Sequence, residues 1–119
     1  MTGRVTGIGG VFFRAKDPAA LAAWYAEHLG VTSFGPWPQQ EGMSVFAPFD
    51  AGTDYWPADR EWMLNLRVEG LDDLIKTLSQ AGIAVETRPD EWDNPEIGRF
   101  ARITDPERNN IELWEPPSS

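Results

Sequence analysis

Gly7-Ile8-Gly9-Gly10-Val11-Phe12-Phe13-Arg14-Ala15-Lys16-Asp17-Pro18 is the stretch on which the reading of this chain turns. From about Thr6 to Lys16 it is a short apolar run of β-branched and aromatic residues, the composition of a strand. Asp17-Pro18 then opens a helix, with a carboxylate placed to cap it and a proline where the first helical position tolerates one. Leu21, Trp24, Tyr25, His28 and Leu29 recur at steps of three and four, so they share one helical face. Gly30 follows as the C-terminal cap.

The same order returns roughly fifty residues later, as in a chain built from repeats. Trp62 to Val68 alternates apolar and other residues as a strand does, and Leu71, Leu74, Ile75 and Leu78 mark a second helix. Asp72 and Asp73 fall in its first turn, where the helix dipole favours them, and Gly82 ends it. Setting Gly10 against Met63 places Phe13 against Leu66, Arg14 against Arg67 and Leu21 against Leu74; one extra residue in the first helix brings Gly30 to Gly82. The expectation is a single domain, 1–119, of the α+β class, duplicated internally as modules of about 5–59 and 60–116.

Between the helices, Val31 to Trp37 and Met43 to Phe49 read as strands, with turn chemistry at Asp50-Ala51-Gly52-Thr53. Asp54-Tyr55-Trp56-Pro57 reads as a short strand or a loop, its aromatics as core, lid or dimer surface. Ile83 to Arg88, about Gly98 to Thr104, and Asn110 to Trp114 complete the strands. The turn Asp105-Pro106-Glu107-Arg108-Asn109-Asn110 joins the last two, its asparagines suited to a left-handed position.

Composition narrows the chemistry. With 119 residues, 41% hydrophobic and 12% aromatic, the chain can bury a core without staples. The absence of cysteine excludes disulfides, thiol nucleophiles and cysteine-ligated metals, and fits a reducing compartment. A single histidine, His28, excludes every motif needing two imidazoles, and as a helix-terminal residue it makes a poor catalytic base. The net charge of -9, with no basic run, argues against nucleic acid; it serves solubility first and a cationic ligand second. Gly9 and Gly10 interrupt the first apolar stretch, and no window approaches the ~20 apolar residues of a membrane span. A cytoplasmic protein without membrane contact is expected. Gly7-x-Gly9-Gly10 precedes a strand rather than a helix, so it is no dinucleotide loop. The acidic run Asp90 to Glu96 reads as a solvated loop before a cation site.

The opening run, with Ala23-Trp24-Tyr25-Ala26-Glu27-His28-Leu29-Gly30, resembles the first module of the vicinal oxygen chelate superfamily, which includes glyoxalase I, bleomycin-resistance proteins and extradiol dioxygenases. Asn65-Leu66-Arg67-Val68-Glu69-Gly70-Leu71-Asp72-Asp73-Leu74 resembles the start of its second module, and Ile103-Thr104-Asp105-Pro106-Glu107-Arg108-Asn109-Asn110-Ile111-Glu112-Leu113-Trp114-Glu115-Pro116 its closing hairpin. The resemblance implies two βαβββ modules forming a half-closed mixed β-barrel around a cleft, and commonly a homodimer. Metal-dependent members place histidines in the first and fifth strands and a glutamate in the last. Those positions fall on Gly10, Met63 and Glu112. Glycine has no donor, and a thioether suits hard divalent ions poorly. No cofactor is therefore expected, a divalent metal at Glu112 being the lesser alternative.

Strand parity then assigns the cleft wall. If position 10 faces the cleft, so do Phe12 and Arg14; Met63, Asn65 and Arg67 face it from the second module, and Glu112 and Trp114 from the last strand. Val11, Phe13, Leu64, Leu66, Ile111 and Leu113 point to the helices. Apolar walls with a few convergent polar groups are what small-molecule sites present. Arg14 and Arg67 suit a carboxylate or phosphate, or pairing with the abundant acids. Glu112 reads as a base, a residual ligand or a structural hydrogen-bond acceptor. Two functions follow: a metal-independent small-molecule-binding protein of the bleomycin-resistance type, or a glyoxalase-like lyase or isomerase, rather than an oxygenase, with Glu112 as base or remaining ligand.

Overall fold

The computed structural model describes residues 3–31 and 36–118. Helix α1, Pro18–Leu29, starts where the sequence requires: the Asp17 carboxylate accepts from Ala20 N–H at 3.1 Å, and Pro18 occupies the first turn. It stops at Gly30, whose φ of 67° lies in the left-handed region that glycine enters without a Cβ clash. Then come strand β1, Leu64–Arg67, helix α2, Leu71–Gln80, the one-turn helix α3, Pro89–Trp92, and strands β2, Arg99–Thr104, and β3, Asn110–Glu115. Among the described residues, no helix is long and apolar enough to cross a membrane.

The strands form an open mixed sheet in the order β1-β3-β2, with β1 parallel and β2 antiparallel to β3. Period-two alternation sorts its two faces. Ala101, Ile103, Ile111 and Leu113 point to one side and are buried with Leu21 and Tyr25 of α1 and Leu71 and Leu78 of α2. Asn65, Arg67, Phe100, Arg102, Glu112 and Trp114 alternate with these residues and occupy the other face. Glu115 ties sheet to helix: one carboxylate oxygen accepts from Gly70 N–H at 2.9 Å and Leu71 N–H at 3.2 Å, capping α2 in place of a local side chain.

The β2–β3 turn is organised by Asp105, only 4% exposed. One of its oxygens accepts from the N–H groups of Glu107 and Asn109; the other accepts from the Tyr25 hydroxyl and the Asn109 amide, both at 2.8 Å. Glu107 in turn accepts from the N–H groups of Lys16 and Asp17 at 2.6 and 2.9 Å, fastening the turn to the start of α1. The left-handed residue in this turn is Arg108, with φ 66°, not an asparagine. The asparagine side chain and backbone are instead committed to Asp105, which leaves the strained position to its neighbour.

The first half departs from its strand pattern. Residues 6–16 and 43–49 form no ladder among the described residues, and the expected strand at 31–37 lies largely outside them. Residues 3–14 and 36–50 are exposed throughout, Phe12 at 94%, Val5 at 91% and Phe46 at 84%. A strand needs an edge to pair with, and composition alone does not provide one. The expected strand at 83–88 contracts to a bridge at Glu86, which exchanges backbone bonds with Arg102 at 2.8 and 2.9 Å. The fold is thus mixed α+β with a small open sheet.

Candidate functional site

Register brings three polar residues into one row across the open face of the sheet: Asn65 on β1, Glu112 on β3 and Arg102 on β2. Glu112 is 7% exposed, and both its carboxylate oxygens are engaged. The Asn65 amide donates to one at 2.7 Å, and the Tyr55 hydroxyl donates to the other in a short bond. Such bonding is what a buried polar group requires, since one shut off from water without partners costs stability. Tyr55 arrives from the loop after residue 50, stacked on Phe49 at 5.8 Å and edge-on to Trp56 and Trp92. Burial first, and then the hydrogen bond and charge of Glu112, push the Tyr55 phenol up to about 12.

The next row on this face joins Arg67, Trp114 and Phe100. Phe100 and Trp114 lie nearly parallel, 6.4 Å apart at 7°, and the Trp114 indole N–H donates to the Ile97 carbonyl at 2.8 Å. Gly98 permits this approach: its φ is 132°, and a Cβ there would run into the Glu115 carbonyl and stand 2.8 Å from the Trp114 indole nitrogen. Arg67 donates to the carbonyls of Gln40 and Met43 at 2.6 and 2.8 Å. It pins the 40–43 segment and, among the described residues, pairs with no acid.

Asn65, Arg67, Glu112 and Trp114 therefore share one face, as parity required. Met63 is half-buried, two residues before Asn65. Phe12 and Arg14 are exposed and outside this cluster. His28 stands at the end of α1 against Trp24, 5.3 Å between rings, with Glu27 3.7 Å away. Sequence reasoning missed Tyr55, Trp92, Phe100 and Arg102 as members of the face. Parity in 99–104, where Ala101 and Ile103 are the apolar positions, holds the signal for Phe100 and Arg102. Tyr55 comes from an irregular segment and carries no local signal; the acidic stretch read as a solvated loop holds the one-turn α3, which delivers Trp92.

The residues present do not fit the superfamily's ion. Gly10 offers no atom, Met63 offers a thioether, and the oxygens of Glu112 are bound by donors. Among the described residues, no three histidine, cysteine, aspartate or glutamate side chains converge.

The phenols give this arrangement an alkaline limit. Burial, and then the hydrogen bond and charge of Asp105, raise the Tyr25 phenol as well. A proton held more tightly in the folded chain stabilises it fully below the ordinary phenol value of 10.0, and that contribution is lost as pH rises. Circular dichroism should show stability falling from pH 10 upward, through about 12 for Tyr55. The double variant Tyr25→Phe/Tyr55→Phe should flatten that fall.

Residues 10–114 match the family described as glyoxalase-like domain. Among solved structures, TnmS3, an antibiotic binding protein from Streptomyces sp. CB03234, is similar over 94% of this chain and 99% of that one, with 26% identity and a TM-score of 0.52. A glyoxalase/bleomycin resistance protein from the same Streptomyces is 33% identical over 43% of this chain and 41% of that chain, with a TM-score of 0.32. This chain therefore spans less than half of that protein. A comparison with curated proteins finds no match. With its capped opening helix, mixed sheet and closing hairpin, the chain belongs to the glyoxalase-like domain family, within the vicinal oxygen chelate superfamily.

Proposed function

We propose that this protein binds a small molecule in the manner of the bleomycin-resistance proteins, without the superfamily's metal, as a cytoplasmic homodimer. In this reading each chain is one domain of two βαβββ modules, about 5–59 and 60–116, and the half-closed barrel is completed when the first-module segments find sheet edges to pair with.

The supporting observation is the state of Glu112. Its buried carboxylate is held by Asn65 and Tyr55 in a wall that also presents Trp114, Phe100 and Trp92. A wall of aromatic faces around a satisfied polar centre serves recognition. The likeness to TnmS3 along nearly the whole chain supports ligand binding as well. The lyase or isomerase reading draws on the Tyr55–Glu112 bond, which pairs a proton donor with an acceptor. It needs a lone pair of that carboxylate turned to a substrate, whereas the bonds from Asn65 and Tyr55 show the group holding the wall together. Homodimerisation is supported by the exposed apolar side chains of residues 5–13 and 43–49.

Tryptophan fluorescence, titrated with polycyclic aromatic and glycopeptide antibiotics, tests binding. A ligand of the open face should change the wild-type signal, while Trp114→Phe should remove part of that change and weaken binding about tenfold. No response to any compound overturns the reading. Metal analysis on the same preparation tests the other half: one divalent ion per chain, retained against EDTA, overturns metal independence.

A further inference from the structure

Strand β2 places Arg102 on the open face, between two carboxylates that do not pair with it. Opposite it on β3 stands Glu112, occupied by Asn65 and Tyr55. On the other side stands Glu86, joined to Arg102 by backbone bonds, its side chain turned to Arg88 at 2.7 Å. Among the described residues Arg102 has no ion-pair partner, in a chain with 19 acids against 10 basic residues. Its guanidinium carbon lies 4.7 Å from the centre of the Tyr55 ring and 5.0 Å from that of Trp92. Two of its nitrogens, Nε and Nη2, are shut off from solvent with no hydrogen-bond partner among those residues.

Guanidinium is charged at any pH the protein meets, and desolvated donors are almost always satisfied in folded proteins. The aromatic rings compensate the charge across its faces and leave the N–H bonds in its plane unanswered. Nε and Nη2 form one edge of the guanidinium, with two parallel N–H bonds at the spacing of two carboxylate oxygens. A depression of about 330 Å³ adjoins the side chain, lined by Arg102, Pro57, Glu86, Thr104 and Asn110 among others. Tyr55 and Trp92, which lie against its faces, come from a loop and from the one-turn α3, whereas Arg102 is fixed in the sheet.

We propose that Arg102 is a ligand-binding residue that anchors the carboxylate of a planar aromatic acid through its Nε–Nη2 edge, with Tyr55 and Trp92 stacking on the ligand's ring system. This rests on the small-molecule-binding reading above and adds the chemical class of the ligand.

Calorimetric titration with 2-naphthoate and its neutral counterpart 2-naphthamide tests it on the wild type, Arg102→Met and Arg102→Lys, each checked for folding by thermal melting. The wild type should prefer the acid at least tenfold, about 1.4 kcal/mol. Arg102→Met should bring the acid down to the level of the amide. Arg102→Lys, keeping the charge and losing the fork, should retain only a small part of the preference. If the methionine variant does not fold, the lysine variant and the wild-type ratio decide. Equal binding of acid and amide to the wild type, or a preference that survives in Arg102→Met, overturns the anchor and leaves the binding reading standing. Binding of neither probe also overturns the anchor, and the antibiotic titration then decides the reading beneath it.

Discussion

Replacing Asp105 with alanine is expected to lower the unfolding free energy by about 3–5 kcal/mol, a third or more of what a domain of this size holds. The side chain is buried and accepts four hydrogen bonds, from the N–H groups of Glu107 and Asn109, the Asn109 amide and the Tyr25 hydroxyl. Alanine leaves all four donors in place and removes every acceptor. Each buried donor left unpaired costs about 1–3 kcal/mol, partly recovered where water can enter. Asp105→Asn keeps one acceptor oxygen for the two backbone donors and turns an amide toward Tyr25 and Asn109, so its loss should be about half as large. Urea unfolding measures both. A double-mutant cycle with Tyr25→Phe should return a coupling of about 1–2 kcal/mol, since the two groups share one buried bond. An Asp105→Ala chain within about 0.5 kcal/mol of wild type would mean that the turn and α1 are held by other contacts.

The second large effect concerns assembly. Sedimentation should give twice the chain mass for the wild type, and the double variant Phe12→Glu/Phe46→Glu should weaken self-association at least a hundredfold. Both side chains stand almost wholly in solvent, at 94% and 84%. Burying a phenylalanine is worth about 1.5–3 kcal/mol, and a carboxylate in its place adds a desolvation cost, so two replacements exceed the roughly 2.7 kcal/mol of a hundredfold change. Because neither side chain belongs to the core around Ile103, Ile111 and Leu113, the substituted chain should keep its thermal transition as a monomer. A wild-type chain that sediments as a monomer at micromolar concentration would remove the dimer. The first module would then need another explanation for its exposed apolar residues.

Several features of the molecule were readable in local chemistry. Asp17, Pro18 and Gly30 act within a few residues of their own positions, so the limits of α1 follow from capping and backbone preference. The face of each strand in 64–67 and 110–115 follows from alternation, which sets Asn65, Arg67, Glu112 and Trp114 on one side. Parity also held Arg102 and Phe100, since Ala101 and Ile103 are the apolar positions of their strand. Whether an apolar, β-branched run becomes a strand is a different question. Residues 10–14 and 63–67 match in pattern, yet only the second run contributes to the sheet, because β3 lies alongside it.

What the sequence determined by itself is the family, the limits of α1 and the side of the sheet on which each strand residue stands, because these depend on motif, capping and period within short reach. Only the tertiary structure decided the partners. Tyr55 reaches Glu112 from a loop, Trp92 reaches Arg102 from the one-turn α3, and Arg67 is spent on the carbonyls of Gln40 and Met43. Contacts between residues far apart in the chain depend on how elements pack, and no local spacing encodes which donor arrives at a buried carboxylate or which guanidinium is left without an acid.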